Sequence, residues 1–269
     1  MDGYKGLFQD KENHYIENFD FSNFRERKDI YSFVLGEGPL DWTNFSWAYH
    51  QDRILFEKYI GVPKSDLGYG EKFKWTHIDA LDSRHIFFST FIFSYCKDIK
   101  NIVEIGGGFG NLYRLNHSII NFDKWNIIDL PFVIGLQKWY LGHEIKNLSK
   151  INFISAYDYS SIIHEKFDLC IGTHSISELG WKEFLDYYNT IILNSKYFFY
   201  AGKAWNWRSG KKLNHILQDF TVVKSWDEAF IDSWESSVLK KREPSEFHRI
   251  SKDNDNNQIY TNLYENKRL

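Results

Sequence analysis

The stretch Asn101-Ile-Val-Glu-Ile-Gly-Gly-Gly-Phe-Gly-Asn111 contains a short apolar run that breaks into glycines. The run, residues 102–105, carries one acid, and four glycines follow it within five positions. Such a pattern predicts a buried strand that ends in a turn, where the backbone approaches another group closely. A glycine-rich turn between a strand and a helix presents backbone N–H groups and a helix N-terminus to a ligand. The sequence therefore predicts a cradle for a nucleotide-like cofactor.

The spacing of the glycines distinguishes two kinds of cradle. A dinucleotide-binding turn has the pattern G-x-G-x-x-G. Counted from Gly106, that pattern requires glycine at position 111, where the chain has Asn111. The observed order is E-x-G-x-G-x-G, formed by Glu104, Gly106, Gly108 and Gly110. Asn111 therefore weakens the interpretation as a nicotinamide-dependent oxidoreductase.

Composition limits the classes of protein to consider. A chain of 269 residues has room for one large α/β domain, or for a core of about 170 residues with a smaller appendage. Lys and Arg number 33 against 36 Asp and Glu, and no basic stripe stands out, so we expect no nucleic-acid partner. Cys96 and Cys170 lie in apolar segments and are expected to be reduced core residues. Neither a signal-like apolar segment nor a membrane-length apolar run occurs, so we expect a cytoplasmic protein without a membrane span.

Strand-like and helix-like segments alternate after residue 100. This alternation, with nearly continuous apolar strands, predicts a parallel sheet covered on both faces. The predicted strands are 102–105, 125–128, 151–155, 169–172 and 197–201, and the predicted helices are 112–120, 131–141 and 179–193. A terminal antiparallel hairpin is expected from 220–226 and a later strand, at 247–251 or at 258–263. Residues 23–35 and 45–60 have helical spacing and predict a helical N-terminal cap, and residues 78–95 predict a further helix that leads into the glycine-rich strand.

Ligands of open α/β sheets bind at the carboxyl ends of the strands, so the residues there are considered together. Asp129 follows the second predicted strand and is suited to accept the hydroxyls of a ribose. The alternative is that Asp129 caps the helix that begins near Pro131. After the third strand, Asp158 is placed to accept an adenine amino group, and Tyr157 to flank the ring. The alternative for Asp158 is an exposed loop acid.

The segment after the fourth strand, residues 172–179, is expected to face the reacting group. His174 and Glu178 are four positions apart and would share a face if the segment were helical. A neutral imidazole can take a proton from a substrate hydroxyl, and a carboxylate can orient the imidazole or act as the base. The alternative is structural: Ser175 or Ser177 caps the next helix, and Glu178 satisfies a backbone N–H in its first turn.

These segments resemble a known family of enzymes. The order E-x-G-x-G-x-G resembles motif I of the class I S-adenosylmethionine-dependent methyltransferases. Taken with Ile128-Asp-Leu-Pro131, Gln137-Lys-Trp-Tyr-Leu141 and His174-Ser-Ile-Ser-Glu-Leu179, it resembles the sugar O-methyltransferase family across roughly residues 75–205. The Asp-Leu-Pro step also resembles plant-type small-molecule O-methyltransferases.

The resemblance implies a Rossmann-like class I methyltransferase core, with a mostly parallel seven-stranded sheet and a terminal antiparallel hairpin. It implies an enzyme that transfers a methyl group from S-adenosylmethionine to a hydroxyl of a sugar or glycan. His174 and Glu178 are the candidate catalytic residues. The expected cofactor-binding residues are Glu104, Gly106, Gly107, Gly108, Gly110, Asp129, Leu130, Tyr157, Asp158 and Thr173.

Several alternatives stay open at the level of sequence. The acceptor is a phenolic or other small metabolite in one of them, and the protein binds adenosyl ligands without turnover in another. We expect residues 1–74 to be the helical cap and substrate region, and residues 75–269 to be the cofactor-binding domain. No acidic pair follows the fourth strand and no Cys/His spacing suggests zinc, so no metal is expected. Further candidates, for the methionine end of the cofactor or for the acceptor, are Trp75, His77, Arg84 and His85. The basic stretch 208–212, which precedes His215, is either a solvated loop or a contact for an acidic sugar or a nucleotide–sugar phosphate.

Overall fold

The glycine-rich stretch connects a central strand to a helix in the computed structural model. This structure describes residues 21–25, 42–65, 67–68, 80–203, 205–206, 211–212, 219–229 and 258–266. The strands in these residues are β1 (Asn101–Ile105), β2 (Lys124–Asp129), β3 (Ile151–Ser155), β4 (Phe167–Thr173), β5 (Ser195–Lys203), β6 (Trp205–Asn206), β7 (Lys211–Lys212), β8 (Phe220–Ala229) and β9 (Gln258–Asn266).

The helices precede the sheet or connect its strands. They are α1 (Trp42–Gln51), α2 (Arg53–Ile60), α3 (Ala80–Tyr95), α4 (Asn111–Asn116), α5 (Pro131–Glu144) and α6 (Trp181–Thr190). Short 3-10 turns occupy Phe21–Asn23, Ser160–Ile162, Ile176–Glu178 and Ile192–Asn194. None of the helices in the described residues is both long enough and apolar enough to cross a membrane.

Strands β1 to β5 form a parallel sheet, which confirms the predicted mixed α/β architecture. The order across the main sheet is β3-β2-β1-β4-β5-β9-β8, and β9 runs antiparallel to both β5 and β8. The chain moves outward from β1 to β3 and then returns to place β4 on the other side of β1. The order of the strands therefore reverses between β1 and β4, and ligands bind at such a switch point in open α/β sheets.

The two faces of the sheet bury separate hydrophobic clusters, because successive side chains of a strand point to opposite faces. Ile102 and Leu169 pack on the face covered by α3, α4 and α5. Val103 and Cys170 pack on the other face, against α6. Both Cys96 and Cys170 are buried free thiols. Strands covered in this way read as apolar runs, which is why the sequence pattern predicts them.

Some predicted helices differ in extent from those of the structure. The helix expected over 112–120 is α4, which ends at Asn116. The helical pattern over 45–60 is divided between α1 and α2, because Asp52 caps α2 by accepting the Leu55 backbone N–H at 3.0 Å. The helix expected over 179–193 is α6, between two 3-10 turns. Of the pattern over 23–35, only residues 23–25 belong to the described chain.

Candidate active site

The segments that the sequence singles out lie at one edge of the sheet, at the carboxyl ends of adjacent parallel strands. Ile105, the last residue of β1, is in register with Ile128 of β2, and Asp129 is in register with Ser155 of β3. The Gly106 backbone N–H extends this pairing by donating to the Ile128 carbonyl at 2.9 Å. Thr173, the last residue of β4, pairs with β5. The glycine turn, Asp129 and the segments after β3 and β4 therefore share one edge.

The glycine turn requires glycine at its first position. Gly106 has a φ of 75° and Gly108 a φ of 56°, both in the left-handed region that other residues rarely adopt. A Cβ on Gly106 would lie 2.4 Å from the Cβ of Ser175. Ser175 also donates its hydroxyl to the carbonyl of Ile105. The turn after β1 and the turn after β4 are thus packed directly against each other.

Glu104 lies beneath the turn rather than at its surface. Its side chain is 1% exposed, and Oε2 accepts a hydrogen bond from Trp125 Nε1 at 3.0 Å. Burial raises the pKa of this carboxyl to about 8, although the Trp125 hydrogen bond opposes the rise. A Cβ on Gly107 would lie 3.2 Å from the Glu104 Cδ, so the acid supports the turn from below.

Asp129 is held at the edge by hydrogen bonds on both oxygens. Oδ1 accepts the Leu130 backbone N–H at 2.8 Å, and Oδ2 accepts Gln137 Nε2 at 2.9 Å. The same Gln137 Nε2 donates to the Gly108 carbonyl at 2.7 Å, which ties the carboxylate to the glycine turn. Burial raises the pKa of Asp129 to about 7, against the hydrogen bonds that favour its charged form. The residue retains some exposed surface, so a ligand can reach it.

Asp129 is therefore not the N-cap of α5. Leu130 occupies that position, with Pro131 as the first helical residue, and no side chain caps the helix. Each carboxylate oxygen of Asp129 has further capacity to accept a hydrogen bond.

The turn after β3 carries Tyr157 and Asp158. Asp158 is exposed, and its Oδ1 accepts the Ser160 hydroxyl at 2.7 Å and the Ser160 backbone N–H at 3.3 Å. The Ser160 hydroxyl lowers the pKa of Asp158, with a smaller contribution from the backbone N–H. Tyr157 is half-buried, and its backbone N–H donates to the Ser155 hydroxyl at 3.2 Å. The turn thus presents an ionised acid and an aromatic ring next to Asp129.

His174 begins the segment after β4 in an uncommon backbone conformation. Its φ is 57°, and its backbone N–H donates to the Ala201 carbonyl at 2.6 Å. The ring lies 6.3 Å from that of Phe88 on α3. Its Nε2 is buried and makes no hydrogen bond within the described residues. Burial, followed by the charge of Arg84, lowers the pKa of His174 to about 3, so the ring is neutral at pH 7.

The segment from 174 to 180 is not one helix, so His174 and Glu178 do not share a helical face. Only Ile176–Glu178 forms a 3-10 turn, and Glu178 is exposed. Helix α6 begins after Gly180 without a side-chain cap, so neither Ser175 nor Ser177 caps it. The Glu178 backbone N–H donates to the Ser175 carbonyl at 3.0 Å.

A buried polar network that the sequence did not predict fixes the start of α4. Asn111 Nδ2 donates to Asp82 Oδ1 at 2.7 Å, and Arg114 Nη2 donates to the same oxygen at 2.9 Å. Arg114 Nε donates to Asn111 Oδ1 at 2.7 Å, and Asn111 Nδ2 also lies 2.9 Å from His85 Nδ1. The available signal was the run of three polar residues, Asn111, Arg114 and Asn116, within the six residues of this buried helix.

Comparisons with known proteins give structural likeness only. No model of a protein family matches the chain, and no curated protein matches its sequence. The solved structures it is similar to include a protein from Thermoplasma acidophilum, at 15% identity and a TM-score of 0.47, covering 81% of this chain and 98% of that one.

Two other similar structures are a protein named as an rRNA methylase and a complex with S-adenosyl-homocysteine. An rRNA methylase from Streptococcus thermophilus matches at 11% identity and a TM-score of 0.42, covering 68% of this chain and 93% of its own. The protein TrmK of M. capricolum, in complex with S-adenosyl-homocysteine, matches at 10% identity and a TM-score of 0.41, covering 65% of this chain and 67% of its own. Structural similarity at such low identity and TM-score does not identify the cofactor or the substrate of this chain.

Several candidates lie outside the described residues. These are Trp75, His77, His215 and residues 208–210 of the basic stretch. Within the part of the chain that the structure describes, no group of His, Cys, Asp and Glu side chains is arranged to hold a metal ion.

Proposed function

We propose that the protein is an S-adenosylmethionine-dependent O-methyltransferase that acts on a hydroxyl of a sugar or glycan. The observation that carries the proposal is the link between the glycine turn and Asp129. The turn follows β1, the acid follows the adjacent strand β2, and Gln137 hydrogen-bonds to both. A close-approach backbone turn beside a carboxylate suits a ligand that carries a ribose diol.

The same edge supports the assignment of the other cofactor contacts. In this proposal the turn Gly106, Gly107, Gly108 and Gly110 lies against the cofactor, and Asp129 accepts the ribose hydroxyls next to Leu130. Tyr157 and Asp158 would contact the adenine, and Thr173 the methionine end. Because Glu104 is buried, we assign it to support of the turn from below.

His174 is the proposed base. The cofactor would supply an activated methyl group on its sulfonium, so the protein needs mainly to align the acceptor hydroxyl. His174 Nε2 would accept the hydroxyl proton, since the ring is neutral and Nε2 lacks a partner within the described chain. Glu178 remains the alternative base, because it is exposed on the turn that follows His174.

A sugar or glycan acceptor rests on the resemblance of the sequence segments to the sugar O-methyltransferase family. A phenolic or other small-metabolite acceptor is the alternative, and a protein that binds the cofactor without turnover is another. We also propose that residues 1–74 contribute to acceptor binding and residues 75–269 bind the cofactor. The Pro63 carbonyl accepts a hydrogen bond from Arg114 at 2.8 Å, so this N-terminal region contacts α4, which follows the glycine turn.

Titration calorimetry tests which cofactor the protein binds. We expect S-adenosylhomocysteine to bind and NAD not to bind. Asp129→Asn should weaken S-adenosylhomocysteine binding by about tenfold or more, since it removes charge-assisted hydrogen bonds. Because the pKa of Asp129 is about 7, the affinity of the wild type should fall as the pH falls from 8 to 6. The variant should lack this dependence.

Asp123→Asn is the matched control, because exposed Asp123 lies at the opposite end of β2. It should bind as the wild type does. Binding of NAD in place of S-adenosylhomocysteine would overturn the proposal. A labelled methyl donor incubated with enzyme and a cell extract, followed by mass spectrometry, then identifies the acceptor. Cofactor binding without transfer to any acceptor in a broad screen would favour the inactive alternative.

A further inference from the structure

Near the proposed site of methyl transfer, α3 carries two donors that have no acceptor among the described residues. Arg84 is half-buried, and its guanidinium makes no hydrogen bond or ion pair within the described residues. A partly buried cation without a counter-ion is costly, so it is expected to meet an anion. The nearest acid along the helix, Asp82, is occupied by Asn111 and Arg114. Asp82 is therefore not the counter-ion of Arg84.

His85 is the second donor, and its tautomer follows from the network around Asn111. Arg114 Nε donates to Asn111 Oδ1, which fixes the amide so that its Nδ2 is the group facing His85. Asn111 Nδ2 then donates to His85 Nδ1, so Nδ1 is an acceptor. Since His85 is neutral, with its pKa lowered to about 3 chiefly by burial, its proton is on Nε2. The Nε2–H group donates to nothing within the described residues.

Both donors face the end of β4. Arg84 and His85 precede Phe88 by four and three positions on α3, so the three side chains share one side of the helix. Phe88 lies 6.3 Å from the ring of His85 and 6.3 Å from the ring of His174. The charge of Arg84 acts on both histidines. The donors therefore lie at the methyl-transfer end of the edge.

The two-stranded sheet of β6 and β7 lies at the same end, and two of its four residues are lysines. Strand β6 packs against the turn Ile176–Glu178, and its partner β7 consists of Lys211 and Lys212. The whole chain is slightly acidic, at −3, so this grouping is local. A half-buried arginine beside buried rings suits one small anionic group that enters a site, whereas a nucleic acid needs an extended basic surface.

We propose that the acceptor carries a carboxylate or a phosphate, which Arg84 and His85 bind through charge-assisted hydrogen bonds. The inference rests on the proposed function and narrows its acceptor to an acidic sugar, such as a hexuronate or a hexose phosphate. Arg84 and His85 would fix the orientation of this acceptor, while His174 faces the hydroxyl. An anion there also complements the positive sulfonium of the cofactor.

Calorimetry with pairs of probes tests the inference, with and without saturating S-adenosylhomocysteine. The pairs are D-glucuronate against D-glucose and D-glucose 6-phosphate against D-glucose, with polyuridylate as a nucleic-acid probe. We expect at least one anionic probe to bind about tenfold more tightly than glucose. Arg84→Gln should abolish that preference, and Arg84→Lys should retain part of it. Arg53→Gln, which removes an exposed charge on α2, should retain all of it.

Each other outcome has a defined meaning. Equal binding of the anionic and neutral probes overturns the inference, as does a preference for polyuridylate over both sugars. If Arg84→Gln weakens S-adenosylhomocysteine and leaves the anion preference intact, Arg84 serves the methionine carboxylate and the inference fails. If S-adenosylhomocysteine does not bind, the proposed function is wrong. The titrations of the sugar probes in the absence of S-adenosylhomocysteine still show whether the protein prefers the anionic probes. The melting temperature of each variant shows that it is folded.

Discussion

His174 combines a strained backbone with a ring nitrogen that has no hydrogen-bond partner in the described part of the chain. A left-handed conformation at a residue other than glycine costs of order 1 kcal/mol, and it persists where neighbouring contacts hold it in place. Here the hydrogen bond to Ala201 and the packing of Phe88 hold the residue. The conformation lets the chain leave β4 and turn at once toward the glycine turn. Backbone strain at functional sites is common, which is in keeping with the base proposed for this position.

The state of the ring makes a prediction about pH. Because the pKa of His174 is about 3, the ring stays neutral and able to accept a proton across the whole range from pH 5 to 8. With the cofactor saturating at every pH, so that the titration of Asp129 does not enter, the rate of methyl transfer should show no fall near pH 6.5, where an ordinary histidine becomes protonated. We expect His174→Asn to lower kcat by about 100-fold or more, with the affinity for S-adenosylhomocysteine unchanged. Asn tolerates the left-handed backbone, so this variant keeps the fold.

The measurement is a pH–rate profile with the acceptor found by mass spectrometry. A fall in rate centred near pH 6.5 in the wild type, absent from the variant, would contradict the neutral state of the ring. Full activity of both His174→Asn and Glu178→Ala would show that neither side chain is the base.

Asn111 shows the limit of sequence reasoning at this scale. The pattern identifies it only as the residue that breaks the dinucleotide spacing, whereas the structure makes it the centre of a buried network. Its partners Asp82 and His85 lie more than 25 positions away in the chain. Helical spacing indicates which residues share a face, and it does not indicate which distant polar groups meet that face.

At the scale of elements, the turn after β1 and the turn after β4 are interlocked at Gly106. This contact predicts that Gly106→Ala will displace one of the turns, since the new Cβ would lie 2.4 Å from the Cβ of Ser175 and φ is 75°. We expect S-adenosylhomocysteine binding to weaken by about tenfold or more and the melting temperature to fall, because backbone strain of order 1–3 kcal/mol is added. Calorimetry and thermal unfolding measure the two effects.

Gly142→Ala is the matched control for this prediction. Gly142 lies on the exposed side of α5, and a Cβ there would meet nothing within 4 Å. Alanine in a helix is more favourable than glycine by about 0.5–1 kcal/mol, so this variant should be slightly more stable and should bind as the wild type does. Wild-type affinity in Gly106→Ala would mean that the turn does not shape the cofactor site.

The sheet was predictable because a buried parallel strand needs nearly every side chain to be apolar, and few other structures produce such a run. The ends of the helices were less predictable. Asp52 divides the helical pattern over 45–60 through a local hydrogen bond that the apolar spacing does not register. The segment after β4 has helical spacing, yet Ser175 bonds to Ile105 instead of capping a helix. In both cases a specific polar contact overrides the period of the apolar residues.

At the scale of the whole molecule, buried polar contacts join the N-terminal segments to the sheet domain. Arg25 Nη2 donates to the Tyr140 hydroxyl at 3.3 Å, and the guanidinium stacks 4.9 Å from the centre of the Phe109 ring. The Ser65 hydroxyl donates to Glu144 at 2.9 Å. Phe109 belongs to the glycine turn, so these contacts connect the segment around residue 25 to the proposed cofactor site. Folding of the described N-terminal segments and order in the turn are thus expected to depend on each other.

Glu104 predicts how the stability of the molecule varies with pH. Its pKa is about 8 in the folded protein, against an ordinary value of 4.5. The native state therefore keeps a proton that the unfolded chain releases between these values. The contribution of protonated Glu104 to the free energy of unfolding is fully present below pH 4.5 and is lost as the pH rises toward 8. Asp129, with its pKa raised to about 7, acts in the same direction.

Glu104→Gln tests this relationship, because the amide stays uncharged and its oxygen can still accept the Trp125 N–H. We expect its melting temperature to decline less than that of the wild type between pH 5 and 8, by about 3 °C. The variant should resemble the wild type at pH 5 and be the more stable protein at pH 8. Glu57→Gln, on the exposed face of α2, should follow the wild type at both values. An equal decline in Glu104→Gln and the wild type would mean that Glu104 is charged in the folded protein, and the turn would then have a carboxylate beneath it.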